Sequence, residues 1–128
     1  MAQVKVYGLR EHLDPIKVQL SDAIHACVVQ AFDFPRDKKN HRFFPLEPED
    51  FFFPDGRTAR YTIIEISLFE GRTIAAKKSL IRLLFQRAQE CGIAPADLEI
   101  ALTETPRENW GIRGLPADEL ELNYTVEV

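Results

Sequence analysis

Residues 61–68, YTIIEISL, decide the fold. In an extended chain Tyr61 and Ile63 point to one side, and Ile64, Ile66 and Leu68 carry apolar side chains on the other. A β-branched run that is apolar on both faces describes a central strand covered on both sides. Glu65 shares the face of Tyr61 and Ile63, where a carboxylate needs a partner or a water-filled cavity. Gly71-Arg72-Thr73 then opens a helix, with Thr73 as its cap. Leu80, Leu84, Ala88 and Cys91 recur at helical spacing, with Ile81 beside them. Gly92 stops that helix and Pro95 follows. Residues 97–104, DLEIALTE, predict the next strand.

The same unit stands earlier in the chain. Residues 3–8, QVKVYG, alternate polar and apolar as a strand does. Asp14-Pro15 predicts a helix start, Asp14 as cap and Pro15 at the first helical position. Ile16, Leu20, Ala23, Ile24, Cys27, Val28 and Ala31 share one helical face, and Phe34-Pro35 ends it. Residues 41–46, HRFFPL, predict a strand, and Pro45 points to a sheet edge or to the end of the strand. Leu20 and Leu80, Ile24 and Leu84, and the tetrads Phe34-Pro35-Arg36-Asp37 and Ala94-Pro95-Ala96-Asp97 all stand 60 residues apart. The fold expected is α+β, one domain over 1–128 built as a tandem β-α-β pseudo-repeat over about 2–46 and 61–104. Right-handed crossovers lay both helices on one face of a four-stranded sheet. The other face keeps apolar residues that a single chain leaves bare, and oligomerisation covers it.

Between the units, Pro48, Pro54 and Asp55-Gly56 signal a loop over 47–59. Phe51, Phe52 and Phe53 cannot all face one core, so either one of them meets a neighbouring chain or the loop folds back over its own sheet. Residues 105–118 are rich in turns around Trp110, and 121–127, ELNYTVE, alternate as a last strand; together 105–128 form a carboxyl-terminal segment. Charge excludes some functions. A net charge of −4 with no basic cluster argues against nucleic acid as partner. No apolar stretch approaches the roughly 20 residues that span a bilayer, and the amino terminus lacks a signal-peptide pattern. Cys27 and Cys91 have no partner at C-x-x-C spacing and read as buried thiols in a reducing cytoplasm. His12 and His25 read as helix-surface or core residues, and no two histidines stand at ligand spacing, so neither a metal nor a cofactor is expected.

The two-unit pattern resembles the tautomerase superfamily, which includes macrophage migration inhibitory factor and, in a nearer branch, malonate semialdehyde decarboxylase. The stretches that carry the resemblance are His25 to Phe32 with Pro35, the segment TIIEISLFEGRTIAAKK, the unit CGIAPADLEIALTE and the turn Glu108-Asn109-Trp110-Gly111. It covers nearly the whole chain. The resemblance implies a ferredoxin-like pseudo-repeat with short extra strands, assembled as a homotrimer whose subunits pack their sheets inward and lend the last strand to a neighbour.

It also implies a site. Active members begin, after methionine removal, with a proline whose amine works in an apolar pocket where burial and nearby cations keep it neutral. Ala2 takes that position here. Removal of Met1 would leave a primary α-amine, ordinarily titrating at about 7.7–8.0. Retention of Met1 would displace that amine by one residue. The branch has two arginines one residue apart before its second helix; Glu70 replaces the first, and Arg72 remains as the candidate carboxylate clamp or as a surface arginine paired with Glu70 or Glu65. The branch's aspartate corresponds to Asp37, or the alignment slides to His41 and Arg42. Trp110 and Arg113 fall in a turn near the mouth of the site, where Trp110 either meets substrate or plugs a subunit interface.

Two functions follow. One is a tautomerase, or a decarboxylating or hydrating relative, acting on a small keto or enol carboxylic acid, with the Ala2 amine, Asp37 or His41 in catalysis and Arg72, Arg42, Trp110 and Arg113 in substrate binding. The other is a trimeric binding or scaffold protein that keeps the fold without the chemistry.

Overall fold

The computed structural model describes residues 2–121 and residue 126. The first strand, β1 (Ala2–Leu9), buries Ala2, Val4, Val6 and Gly8 and leaves Gln3, Lys5, Tyr7 and Leu9 half-covered. That alternation makes one face of the strand core and the other open. A short helix α1 (Arg10–Leu13), a 3-10 turn and a long helix α2 (Lys17–Phe32) follow. The helical run therefore begins four residues before the Asp14-Pro15 start read from the sequence. Leu13 is buried and anchors α1, while Pro15 sits in the 3-10 turn joining the two helices. Asp14 closes α1 through its backbone N–H, and its side chain caps no helix; the carboxylate meets Lys17 at 3.3 Å and Arg10 at 3.6 Å. At the far end Asp33, with φ 49° and ψ 45°, takes the left-handed conformation that closes the helix.

Strand β2 (His41–Leu46) pairs parallel to β1. After a loop containing a 3-10 turn, β3 (Thr62–Phe69) pairs antiparallel to β1. Helix α3 (Ile74–Glu90) begins at Thr73, whose side chain accepts a hydrogen bond from the Ala76 amide at 3.1 Å. Gly92, at φ +87°, ends that helical segment, and β4 (Leu98–Thr105) pairs parallel to β3. The order β2-β1-β3-β4 is the tandem β-α-β arrangement expected from the sequence. The pairs 60 residues apart occupy equivalent places: Leu20 and Leu80, and Ile24 and Leu84, are all buried in one hydrophobic cluster with Val4, Val6, Ile64 and Ile66. A two-strand hairpin, β5 (Gly111–Ile112) and β6 (Leu115–Pro116), supplies short extra strands. The last strand expected over 121–127 lies outside the described residues apart from Glu121, which is irregular, and Val126, which is buried. No helix among the described residues is long and apolar enough to cross a membrane.

The loop before β3 divides its three phenylalanines. Phe51 and Phe53 fold back onto Tyr61, with ring centroids 5.9 and 5.4 Å from it. Phe52 stays 89% exposed. Asp97 holds the loop down: its carboxylate accepts from the Thr58 amide at 2.8 Å and from the Thr58 hydroxyl at 2.5 Å. These hydrogen bonds keep its carboxyl below the usual carboxylate range.

Candidate active site

On the open face of the sheet, side chains follow from strand alternation. Arg42 on β2 reaches across to β1, where its Nη2 donates to Gln3 Oε1 at 3.0 Å. Farther along, Tyr7 stacks on Phe44 with centroids 4.9 Å apart, and its hydroxyl lies beside the Glu65 carboxylate. Burial and this carboxylate raise the Tyr7 pKa. Glu65 thus has its partner, and Lys5 stands opposite it in register.

Beside the first residues of β1 the open face hollows into a cleft of about 320 Å3, lined by Gln3, Ser67, Thr105, Asn109, Trp110 and Gly111. Trp110 arrives from the 3-10 turn after β4, and its ring packs edge-on against Phe69 at 4.9 Å. It forms one wall of the cleft and belongs to a small second core with Phe69, Ala117 and Val126. Ala2 adjoins Gln3 and pairs with Leu68; its side chain is 5% exposed and faces the helices. Met1 lies outside the described residues.

A second hollow, of about 290 Å3, lies where the second unit repeats the first: Tyr7, Leu46, Phe51, Ile63 and Glu65 line it. Sixty residues relate Ile63 to Gln3, Ser67 to Tyr7 and Gly111 to Phe51. The same place in the pseudo-repeat is therefore polar beside β1 and aromatic beside β3.

The other residues singled out from the sequence are dispersed. Arg72 is 7% exposed; its Nη1 donates to the Phe32 carbonyl at 2.8 Å, and its guanidinium lies 4.6 Å above the Phe32 ring. It satisfies a carbonyl at the carboxyl end of α2, where a cation also suits the helix dipole. It is a buried tie between the two units and not a surface arginine. His41 neighbours Arg42 in β2 but points to the helix side, where its Nδ1 meets Ser21 Oγ at 2.8 Å. Asp37 is exposed on the loop before β2, and Arg113, at φ 53°, is exposed on the β5–β6 turn; neither lines the cleft. Gln3 and Ser67 were not singled out from the sequence. The signal was present in the alternation, since both are polar positions opposite a buried neighbour.

A family model described as Tautomerase enzyme matches residues 38–113. The 2-hydroxymuconate tautomerase of Pseudomonas putida is 44% identical over 57 residues, which cover 44% of this chain and 90% of that protein. Among solved structures, malonate semialdehyde decarboxylase superposes with a TM-score of 0.79 at 24% identity, over 89% of this chain and 93% of that one. A fused 4-OT, described as an asymmetric trimer, superposes at 0.80 and 22% identity, over 91% and 96%. At those identities the two structures speak for the fold, and the family match, over more than half of the sequence, speaks for descent. The chain belongs to the tautomerase family.

Proposed function

We propose that this protein moves a proton between the keto and enol forms of a small carboxylic acid in the cleft beside β1. The observation that carries the reading is that cleft, with Gln3, Ser67 and Trp110 in its walls and Arg42 reaching Gln3. After removal of Met1, the α-amine of Ala2 would stand at the start of β1. An α-amine ordinarily titrates at about 7.7–8.0, so part of it is already neutral near pH 7. Burial favours the neutral form further, and a neutral amine can take a proton from the enol and return it to carbon. Arg42 is the cation for the substrate carboxylate in this reading. Arg72 has its guanidinium engaged with Phe32. Asp37, His41 and Arg113 have no part. The substrate class is that of the Pseudomonas relative, an unsaturated 2-hydroxy acid such as 2-hydroxymuconate.

We extend the reading to a homotrimer acting in the cytoplasm. It is supported by the trimeric description of a superposing structure, by exposed Phe52, by Tyr7 and Phe44 on the open sheet face, and by two free, buried cysteines. A second reading, a trimeric binding protein without chemistry, is favoured by Ala2 standing where active relatives have proline.

The test is ketonisation of 2-hydroxymuconate by trimeric protein whose intact mass shows Ala2 as its first residue, beside an Ala2→Pro variant. Catalysis by the wild type supports the enzyme. An inert wild type with an active variant supports the second reading with a competent cleft. Two inert trimers exclude the enzyme.

A further inference from the structure

On the opposite side of β2 from Arg42, a cleft of about 430 Å3 lies between that strand and α2, lined by Lys17, Val18, Ser21, Lys39, His41 and Phe43. We propose that this outer cleft binds a small organic monocarboxylate, its charge between Lys39 and the Ser21–His41 pair and its apolar body against Val18 and Phe43.

The polar half of the cleft is built to donate. Ser21 Oγ and His41 Nδ1 are 2.8 Å apart. Burial, helped by Lys39 and His25, lowers the His41 pKa to about 4, so the imidazole is neutral near pH 7. If the Ser21 hydroxyl donates to Nδ1, the ring proton on Nε2 remains for another acceptor. If Nδ1–H donates to Ser21, the hydroxyl proton remains instead. Either tautomer keeps one donor beyond the pair. Lys39 Nζ meets Asp22 at 3.1 Å and Lys17 Nζ meets Asp14 at 3.3 Å. An ammonium has three donors, so each lysine keeps hydrogen-bonding capacity. Such surface pairs contribute little and rearrange at small cost.

The other half is apolar. Val18 is 74% exposed on α2, and Phe43 is half-buried on β2. A volume of this size lies within the range of small-ligand sites, which combine apolar walls with a few convergent polar groups. The lining selects the class of ligand. Asp14 and Asp22 offset the charge of the two lysines, so little net field remains to draw in a bare inorganic anion, whereas the apolar wall of Val18 and Phe43 favours an anion with an organic body. The site is independent of the proposed proton-transfer chemistry, because strand alternation sends Arg42 and His41 to opposite faces.

The experiment follows the His41 ring resonances while benzoate, and separately inorganic phosphate, is titrated into the full chain near pH 7. The expected result is a saturable shift with benzoate, none with phosphate at the same concentrations, and affinity about tenfold weaker in Lys39→Met and in Ser21→Ala. An unmoved His41 resonance, an equal response to phosphate, or unchanged affinity in both variants would overturn the proposal. So would a change in oligomeric state on Val18→Ser, which would show that another copy of the chain covers this wall.

Discussion

His41 and Arg42 are neighbours in sequence and lie on opposite faces of the sheet, because side chains alternate along β2. Reading the residues alone left open whether Asp37 or the His41–Arg42 pair faces the pocket, since alternation assigns faces only after register is known. Arg72 shows a harder limit. Its place before a capped helix suggested an anion clamp, and its Nη1 donates to the carbonyl of Phe32, 40 residues upstream. Nothing local in the sequence announces that contact. The carboxylate role assigned to Arg42 predicts that Arg42→Ala lowers kcat/KM for an acidic enol about tenfold to hundredfold, as loss of a hydrogen bond to a charged group does. The thermal midpoint should hardly change, because Arg42 is exposed. His41 gives a pH prediction with a definite sign. Its pKa is about 4 in the folded chain against an ordinary 6.5. Between those values the unfolded chain binds the extra proton, so stability present above 6.5 falls as the pH is lowered toward 4. Urea midpoints at about pH 7 and about pH 5 should therefore differ more for wild type than for His41→Gln.

The strands and helices were legible because each obeys its own period. Apolar residues at helical spacing marked the buried stripes of α2 and α3, and alternation marked the strands. What escaped was decided by packing or by distant contacts. Pro15 looked like a beginning, but burial of Leu13 extends the helical run back to Arg10. The end of α2 rests on Asp33 in a left-handed conformation, which costs an L-residue about 1 kcal/mol or more and glycine little. Asp33→Gly should therefore raise stability by about 0.5–1 kcal/mol, read as a higher denaturant midpoint with unchanged slope. The loop before β3 depends on Asp97, whose two hydrogen bonds from Thr58 bridge 39 residues. Asp97→Ala should destabilise the chain by about 1–2 kcal/mol. It should also speed amide exchange around residues 51–60 ahead of the strands.

At the scale of the molecule, two β-α-β units share one core and leave the opposite sheet face open. The duplication was plain in the sequence, from the matched leucines and proline tetrads. The asymmetry between units was not, because it depends on which side chains line each hollow. One hollow carries Gln3, Ser67 and Asn109; its counterpart carries Ile63, Tyr7 and Phe51. A polar cleft beside Arg42 suits an acidic substrate, and an aromatic one beside Glu65 does not, so the proposed chemistry is placed in the cleft at the start of β1, which residues of both halves line. That chemistry depends on a free amine at Ala2. Its most direct test compares ketonisation of 2-hydroxymuconate by trimeric protein beginning at Ala2, before and after selective acetylation of its α-amine. The account predicts catalysis that acetylation abolishes while the trimer persists. Equal rates before and after acetylation would contradict it.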